Sequence, residues 1–420
     1  MRLPILSQHS SKLQTPWKCA QLGLLIFPII PLLGALGIFL ALIGTWRQKY
    51  REIIQRPLNW GLAILTLLLL FTASFAYYRS DAFLGLFNFL PFFGLFAAFS
   101  ILIQTPAQLR QLAIILVFTS VPVAILGLGQ LFLGWVTPVQ LQGILGWTLV
   151  PSGNPPGRMA STFMYANILA GYLVIVFILG LGLWIQAYQQ VRGRIQLASF
   201  CFLTLALMGN FVALILTNSR SAWAIAILAS LAFAIYQGWR WLVAGVAAIA
   251  GSILGAAFAP SPIQQWLRQI VPAFFWARLT DQLYPDRPLA LLRTTQWQYA
   301  WAWTQQRPLT GWGLRNFTPL YEQQMHVWLG HPHNFLLMLT VETGIPTAIF
   351  FCAWVFWIVF QGFNTLRMLL KRDQLIFFSY LVAFSACIIF NTVDVSLFDL
   401  RLNTLGWLLL SAICGVVYNK

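Results

Sequence analysis

The chain has 420 residues, 59% of them apolar and only 8% charged, with 25 Lys and Arg against 9 Asp and Glu for a net charge of +16. Its mean hydropathy of +0.76 leaves too little polar surface to coat a soluble globule, which excludes a soluble enzyme with a small anchor. In a soluble protein such a charge would suggest nucleic acid. Here the basic residues fall between apolar runs, so the excess reads as orientation in a membrane, and no nucleic-acid partner is expected.

Apolar runs occur near 21–45, 58–77, 82–103, 112–134, 167–188, 196–217, 222–238, 241–258, 334–361, 375–392 and 403–418. A single crossing takes ~20 apolar residues, so the first run is long enough to cross once with tilt. Pro28, Pro31, Gly34 and Gly37 could equally fold it into a hairpin of short helices. Basic flanks on both sides, Arg2, Lys12 and Lys18 before and Arg47, Lys49, Arg51 and Arg56 after, favour the hairpin, which returns both flanks to the cytoplasm. No small-residue cleavage site precedes Arg47, so this segment reads as retained and not as a signal peptide. The expected fold is an all-α polytopic membrane protein of about 12 membrane segments with both termini inside. Cys19, Cys201, Cys352, Cys387 and Cys414 lie in or beside spans without paired spacing and read as packing residues.

This topology puts 15 basic residues inside, including all five lysines, and leaves ten outside that are all arginine: Arg79, Arg158, Arg220, Arg268, Arg278, Arg287, Arg293, Arg307, Arg315 and Arg401. Arginine grips phosphate bidentately where lysine offers a point charge, so the outer face suits a phosphate-bearing ligand. Arginine also outnumbers lysine 20 to 5 overall, which makes part of the bias compositional.

The outer face carries a medium loop at 135–166 and a long one at 259–333. The long loop divides the chain into N-terminal membrane helices at 1–258, a periplasmic loop with amphipathic helices at 259–333, and C-terminal membrane helices at 334–420, which together form one integrated membrane domain. The loop is rich in Trp, Arg and Pro with apolar periodicity, so an ordered cap is expected. Trp297, Ala300, Trp301 and Thr304 have helical spacing over Arg293–Gln306, and Pro308, Gly311 and Gly313 stop that helix. It reads as an amphipathic helix at the membrane interface.

Chemistry concentrates at the end of this loop, where His326, His331 and His333 precede the span that begins at Asn334. Histidine is suited to take a proton near neutral pH, which makes a base at the outer surface one reading. Interfacial histidines capping the next helix is the other. A zinc site is the weaker reading, because it wants three ligands, acids are few, and residues two apart on a helix point to different faces. Arg220, in Thr217–Ala222 between two apolar runs, places a charge close to hydrocarbon and is a functional candidate, or else a snorkelling anchor. Arg158, followed by Asn167 at the start of a span, is similar but weaker. The outer acids Asp81, Asp281, Asp286, Glu322, Asp394 and Asp399 form no Asp-x-Asp pair that would hold Mg²⁺ on a diphosphate. Glu342, about two and a half turns below His333, is the acid well within a span and reads as the buried partner of an arginine or as a relay group.

These residues resemble the O-antigen ligase and polymerase family of bacterial inner-membrane glycosyltransferases. His333-Asn334, nine residues, then Gly344-Ile345-Pro346-Thr347 is similar to the family's signature at the loop-to-span junction. Arg293, Trp297 and Ala300, followed by Arg307-Pro308-Leu309-Thr310-Gly311-Trp312-Gly313 and Asn316-Phe317, resembles its Arg…Trp…Ala…Pro-Leu-x-Gly-x-Gly…Asn-Phe stretch. Thr217–Ala222 resembles its Thr-x-Ser-Arg-x-Ala motif, and Arg158–Asn167 its Arg…Gly-Thr-Phe…Asn segment with Ser161 replacing the usual glycine. The resemblance implies inverting, metal-free transfer of a glycan from a polyprenyl-diphosphate carrier to an acceptor hydroxyl outside the inner membrane, with no cofactor. It implies His333 as base and Arg220 and Arg293 on the diphosphate. Arg158, Asn167, Arg315, His331 and Asn334 are expected to bind substrate, with Glu342, Gly311, Gly313 and Gly344 as structural support. The expected partners are the carrier-linked donor, a glycolipid acceptor such as lipid A core, and membrane lipids. Arg315 stands where many members carry a small residue and could share the role of Arg293. A polymerase, a protein-glycosylating member, and a bicarbonate or solute transporter are the alternatives.

Overall fold

The computed structural model describes residues 11–191, 193–280 and 288–419. Arg2, Asp281, Asp286 and Arg287, named in the charge pattern, lie outside them, as do the inner basic residues Arg192 and Lys420. The regular secondary structure of the described residues is all helical, with no strand. Eleven helices are long and apolar enough to cross a membrane. The polytopic all-α reading therefore holds.

The chain opens with α1 (Gln14–Ile26) and α2 (Pro31–Gln55), packed antiparallel as a hairpin. Thirteen residues make α1 too short to count among the eleven, one fewer than the twelve segments expected. The hairpin also starts earlier and ends later than the 21–45 run, because Pro28 and Pro31 set its turn and not its ends. Glycine lets its two backbones touch: a Cβ at Gly34 would stand 2.3 Å from the Phe27 Cα. The turn meets the outer loops, with Trp147 Nε1 donating to Ile29 O at 2.5 Å and Thr162 Oγ1 to Pro28 O at 3.0 Å. The first run is therefore a hairpin whose tip shares the face of the later loops.

Next come α3 (Pro57–Ser74), α4 (Arg79–Gly85), α5 (Leu90–Leu102) and α6 (Pro106–Phe132). Thr105 and Gln108 close a capping box around Pro106 at the start of α6, the first turn where a missing N–H costs nothing. The short α7 (Val139–Leu145) lies in the medium loop, followed by α8 (Ala166–Gln190), α9 (Arg194–Leu216), α10 (Arg220–Gln237) and α11 (Arg240–Phe258). The long loop holds α12 (Ile263–Ile270), α13 (Ala273–Leu279), α14 (Arg293–Gln306) and α15 (Phe317–Met325). Then α16 (Phe335–Leu366), α17 (Lys371–Asn391) and α18 (Leu400–Val417) complete the chain. Helices α8, α17 and α18 are the most enclosed spans, while α9 and α11 present most of their surface outward. A helix apolar all round suits either setting, since lipid is as apolar as a packed neighbour.

On the face opposite the long loop, Arg110 donates to Gln186 at 3.0 Å and pairs with Asp373 at 3.5 Å, tying α6, α8 and α17 together. The loop helix spans the residues its spacing predicts, and Ala300 and Thr304 are buried against α16 as the pattern requires. Trp301 instead faces outward, and Gln296 shares the buried face.

Candidate active site

The glycine-rich stretch 308–316 seals a break in α16. Gly344 leaves helical geometry at φ +77°, and Pro346 has no N–H to offer the Glu342 carbonyl one turn earlier. The loop supplies the missing donors: Trp312 N–H bonds Val341 O at 2.8 Å and Gly313 N–H bonds Glu342 O at 2.9 Å. Ile345 N–H in return bonds Pro308 O at 2.7 Å. Such close backbone approach explains the glycines. A Cβ at Gly311 would lie 2.5 Å from the Glu342 carbonyl carbon, and one at Gly344 would lie 2.4 Å from Leu309 O. The two halves of the Pro-Leu-x-Gly-x-Gly and Gly-Ile-Pro pattern are thus one hydrogen-bonded unit.

Glu342 belongs to the same joint. It is buried, and the backbone N–H groups of Arg315 and Phe317 face its carboxyl. Among the described residues it forms no direct ion pair, and the Arg315 charge acts on it from farther away. Asn316 extends the joint to the start of α4: its side chain accepts from Tyr78 N–H at 2.6 Å and donates to Leu314 O at 2.8 Å.

Above this joint the segment 329–334 is held from both sides. Thr318 donates to Gly330 O at 2.9 Å, Trp297 Nε1 to Pro332 O at 3.0 Å, and the Asn334 side chain caps α16 by accepting from Leu337 N–H at 3.1 Å. His333 adopts φ +51°, a left-handed conformation uncommon outside glycine and one that clusters at functional sites. The turn swings both histidine rings to one side, with centroids 4.5 Å apart. The different-faces argument fails because 331–333 is not helical. His326 caps the C-terminus of α15 and is not part of this pair.

The acid that completes the cluster comes from far along the chain. Asp394, in the loop between α17 and α18, meets His333 Nδ1 at 3.2 Å and His331 Nε2 at 3.6 Å with the same oxygen, Oδ1. Its Oδ2 accepts from Asn167 Nδ2 at 2.9 Å. Asn167 Oδ1 accepts from Arg158 at 2.5 Å, and Arg158 Nε donates to Thr217 O at 2.8 Å. One chain of bonds thus runs from His333 through Asp394, Asn167 and Arg158 to the Thr217–Ala222 segment. Arg220 opens α10 three residues beyond, at an N-terminus without a side-chain cap. Arg293, at the start of α14, is near enough for its charge to act on His331. Arg315 is exposed, with its stem beside Gly85 of α4, and makes no bond to the cluster among the described residues.

Partners assign the tautomers. The His333 N–H donates to His331 Nδ1 at 3.1 Å, so that nitrogen is an acceptor and His331 carries its proton on Nε2. His333 turns Nδ1 to a carboxylate, so Nδ1 carries its proton and Nε2 has the free lone pair. Burial, with His333 and Arg293 adding to it against the pull of Asp394, lowers His331 to about 4. Burial alone would raise Asp394, but the His333 hydrogen bond and the two histidines bring it below its ordinary value. The Arg158 guanidinium is lowered by burial, which Tyr165 and Asp394 oppose, and arginine remains charged at neutral pH regardless. His331, His333 and Asp394 also form a metal-type donor set, with ligand atoms within 4.8 Å of one another.

Sequence reasoning treated Asp394 as one of several sparse outer acids. No spacing signal links it to His333, 61 residues away. Ser161 sits at φ +48°, a conformation a glycine would adopt without strain, and is pinned by its N–H donating to Gln130 Oε1 at 2.8 Å and its hydroxyl to Val123 O at 2.6 Å.

Fold and site together define a polytopic membrane protein with a histidine–carboxylate centre that Arg158 joins by hydrogen bonds and Arg293 reaches by its charge. Residues 203–352 match the model of the family described as O-antigen ligase. The match supports an enzyme of the ligase or polymerase type that handles a lipid-linked glycan in a membrane. It includes Arg220, Arg293, His331, His333 and the α16 joint, and ends before Asp394. No curated protein matches the chain.

Proposed function

We propose that the protein is a ligase-type glycosyltransferase that moves a glycan from a polyprenyl-diphosphate carrier to a hydroxyl of a glycolipid acceptor, lipid A core or similar. It acts on the periplasmic side of the bacterial inner membrane, with both termini cytoplasmic and residues 259–333 capping the membrane helices. The observation that carries this reading is the His333–Asp394 pair, which holds an imidazole with its Nε2 lone pair available and is joined through Asn167 to Arg158.

In this mechanism His333 Nε2 takes the acceptor hydroxyl proton as the oxygen attacks the anomeric carbon. The bond from that carbon to the carrier diphosphate breaks, and its electron pair leaves with the diphosphate, inverting the configuration. Asp394 orients the ring and stabilises the imidazolium. Arg220, with the uncapped N–H groups of α10, and Arg293 take up the charge growing on the diphosphate, and a preorganised donor in such a position contributes ~3–4 kcal/mol. Arg158 and Asn167 hold Asp394 in register from the donor side. No metal is invoked, because the histidines and Asp394 satisfy one another by hydrogen bonds.

The test is a deletion strain complemented with wild type or His333→Ala, read by surface glycan and carrier-lipid pool. Loss of acceptor-linked long glycan with long chains stranded on the carrier, restored by wild type alone, is the ligase outcome. Stranded single repeat units would assign polymerase activity, and an unchanged profile would return transport as the reading. A cysteine at Gln323 that labels only after the inner membrane is permeabilised would overturn the orientation.

A further inference from the structure

Arg401, counted by its sequence position among the ten outer arginines, does not present its charge to a ligand. It is 5% exposed and sits in the first turn of α18. Both settings disfavour a cation, because burial strips its water and a helix N-terminus already carries partial positive charge. Three contacts made by one planar group compensate. Nη1 donates to Thr162 O at 2.8 Å, Nη2 faces Asp399 Oδ2 at 3.5 Å, and the guanidinium carbon lies 3.9 Å from the centre of the Phe163 ring. Asp399 is local to α18, whose Arg401 and Leu402 N–H groups it caps at 3.0 Å. Thr162 and Phe163 are not local. They form the turn Ser161–Phe163, which lies between Arg158 and Asn167 and is flanked by left-handed backbone at Ser161 and Met164. Arg401 thus supplies a donor to a carbonyl outside any long helix, and Phe163 stacks in turn on Tyr172 of α8 with centroids 4.7 Å apart.

The same two stretches of chain are joined a second time where Asn167 Nδ2 meets Asp394 Oδ2 at 2.9 Å. The two ties close a ring through 162–167 and 394–401. One hydrogen bond alone is a hinge, whereas two fix the register of the stretches they join. We infer that Arg401 is a positioning residue for the transfer reaction: by clamping the Ser161–Phe163 turn onto α18 it holds Asn167 against Asp394, and so aims the Asp394 carboxylate at His333 Nδ1. The inference rests on the glycosyltransferase reading with His333 as its base. Arg401 touches none of the reacting atoms, so it acts on turnover and not on donor binding. Lysine does not replace it, since an ammonium offers no flat face to Phe163 and no fixed pair of N–H groups to serve Thr162 and Asp399 together.

The experiment is a double-mutant cycle of Arg401→Lys and Asn167→Ala in the full chain, read as kcat and donor KM for transfer from a carrier-linked glycan in proteoliposomes. Arg401→Lys is expected to lower kcat by about 10- to 100-fold, the scale of a ~1 Å misplacement at a catalytic group, with donor KM unchanged. Asn167→Ala is expected to do the same. Because both act through the Asp394 carboxylate, the double variant should be no more than about twofold slower than the slower single one. An equal further fall beside Asn167→Ala would make Arg401 a structural residue only. A raised donor KM would place it on the diphosphate, and a wild-type kcat would leave it without a role; each of these three results overturns the inference. Should Arg401→Lys fail to fold, Asp399→Asn takes its place in the cycle, since its amide oxygen keeps the α18 cap while the guanidinium loses its charged partner. A smaller fall in kcat that disappears beside Asn167→Ala is then expected, and an undiminished or additive rate overturns the inference. Wild type that transfers no glycan, or Asp394→Asn as fast as wild type, would instead refute the glycosyltransferase reading and its base.

Discussion

Replacing Asp394 by asparagine tests the centre most sharply, because it keeps the shape and removes the charge. The Asp394 carboxylate accepts on Oδ1 from His333 and the Val395 N–H, and on Oδ2 from Asn167. An amide has one accepting oxygen. If that oxygen stays toward His333, the new NH₂ faces the NH₂ of Asn167, donor against donor. If it turns toward Asn167, the NH₂ faces His333 Nδ1, which must then accept, and the proton moves to Nε2 where the base is needed. Either arrangement loses a charge-assisted bond of about 1.5–3 kcal/mol, and the second also removes the base in its correct tautomer. General-base catalysis contributes typically ~10²–10⁴-fold. Asp394→Asn is therefore expected to lower single-turnover transfer from carrier-linked donor by about 10²–10⁴-fold, with donor KM little changed. A rate within threefold of wild type, in a variant with an unaltered melting temperature, would refute the tautomer argument.

His333→Ala removes the base alone, so transfer is abolished while the protein stays in the membrane; normal transfer would discard the role. Arg220→Lys is expected to fail, since a point charge does not reproduce a bidentate clamp, and full activity would reduce Arg220 to a snorkelling anchor. Chelator is expected to leave activity intact, whereas loss reversed by added divalent metal would assign the His331–His333–Asp394 cluster to metal binding. Gly344→Ala combines φ +77° with a Cβ 2.4 Å from Leu309 O, so it should lower the detergent melting temperature markedly, and an unchanged melt would show that the joint relaxes freely. The pH dependence has a definite sign. Because the folded pKa of His331 is lowered to about 4, the unfolded chain binds more protons between that value and about 6.5, and stability falls as pH drops through this window by at most about 3 kcal/mol. His331→Asn is expected to flatten that fall in thermal melts.

Much of the architecture is legible in composition and spacing. Lipid forces every backbone group to bond within its own helix, so a run of apolar residues between basic turns already specifies a span, and each predicted run corresponds to one helix of the structure except 21–45 and 82–103, each of which is broken into two. The period of Trp297, Ala300 and Thr304 with its stop at Pro308 specified α14 for the same reason, since local hydrogen bonding needs only neighbours. His333 and Arg220 stood out because charge and imidazole are scarce in such a chain, whereas Arg293 was singled out only by the family resemblance. Tertiary structure decided what depends on residues far apart in sequence. Asp394 reaches His333 only because α17 ends beside α16, and no periodicity links them. The turn at 331–333 brings two rings together that a helix would have separated. Glu342 and the glycines at 311, 313 and 344 acquire their meaning from a helix break whose orphaned carbonyls are answered by a loop some thirty residues upstream. Local sequence settles which segments can lie in lipid, because that is a matter of solvation along the chain. Which groups complete one another's hydrogen bonds is a matter of packing, and only the assembled helices determine it.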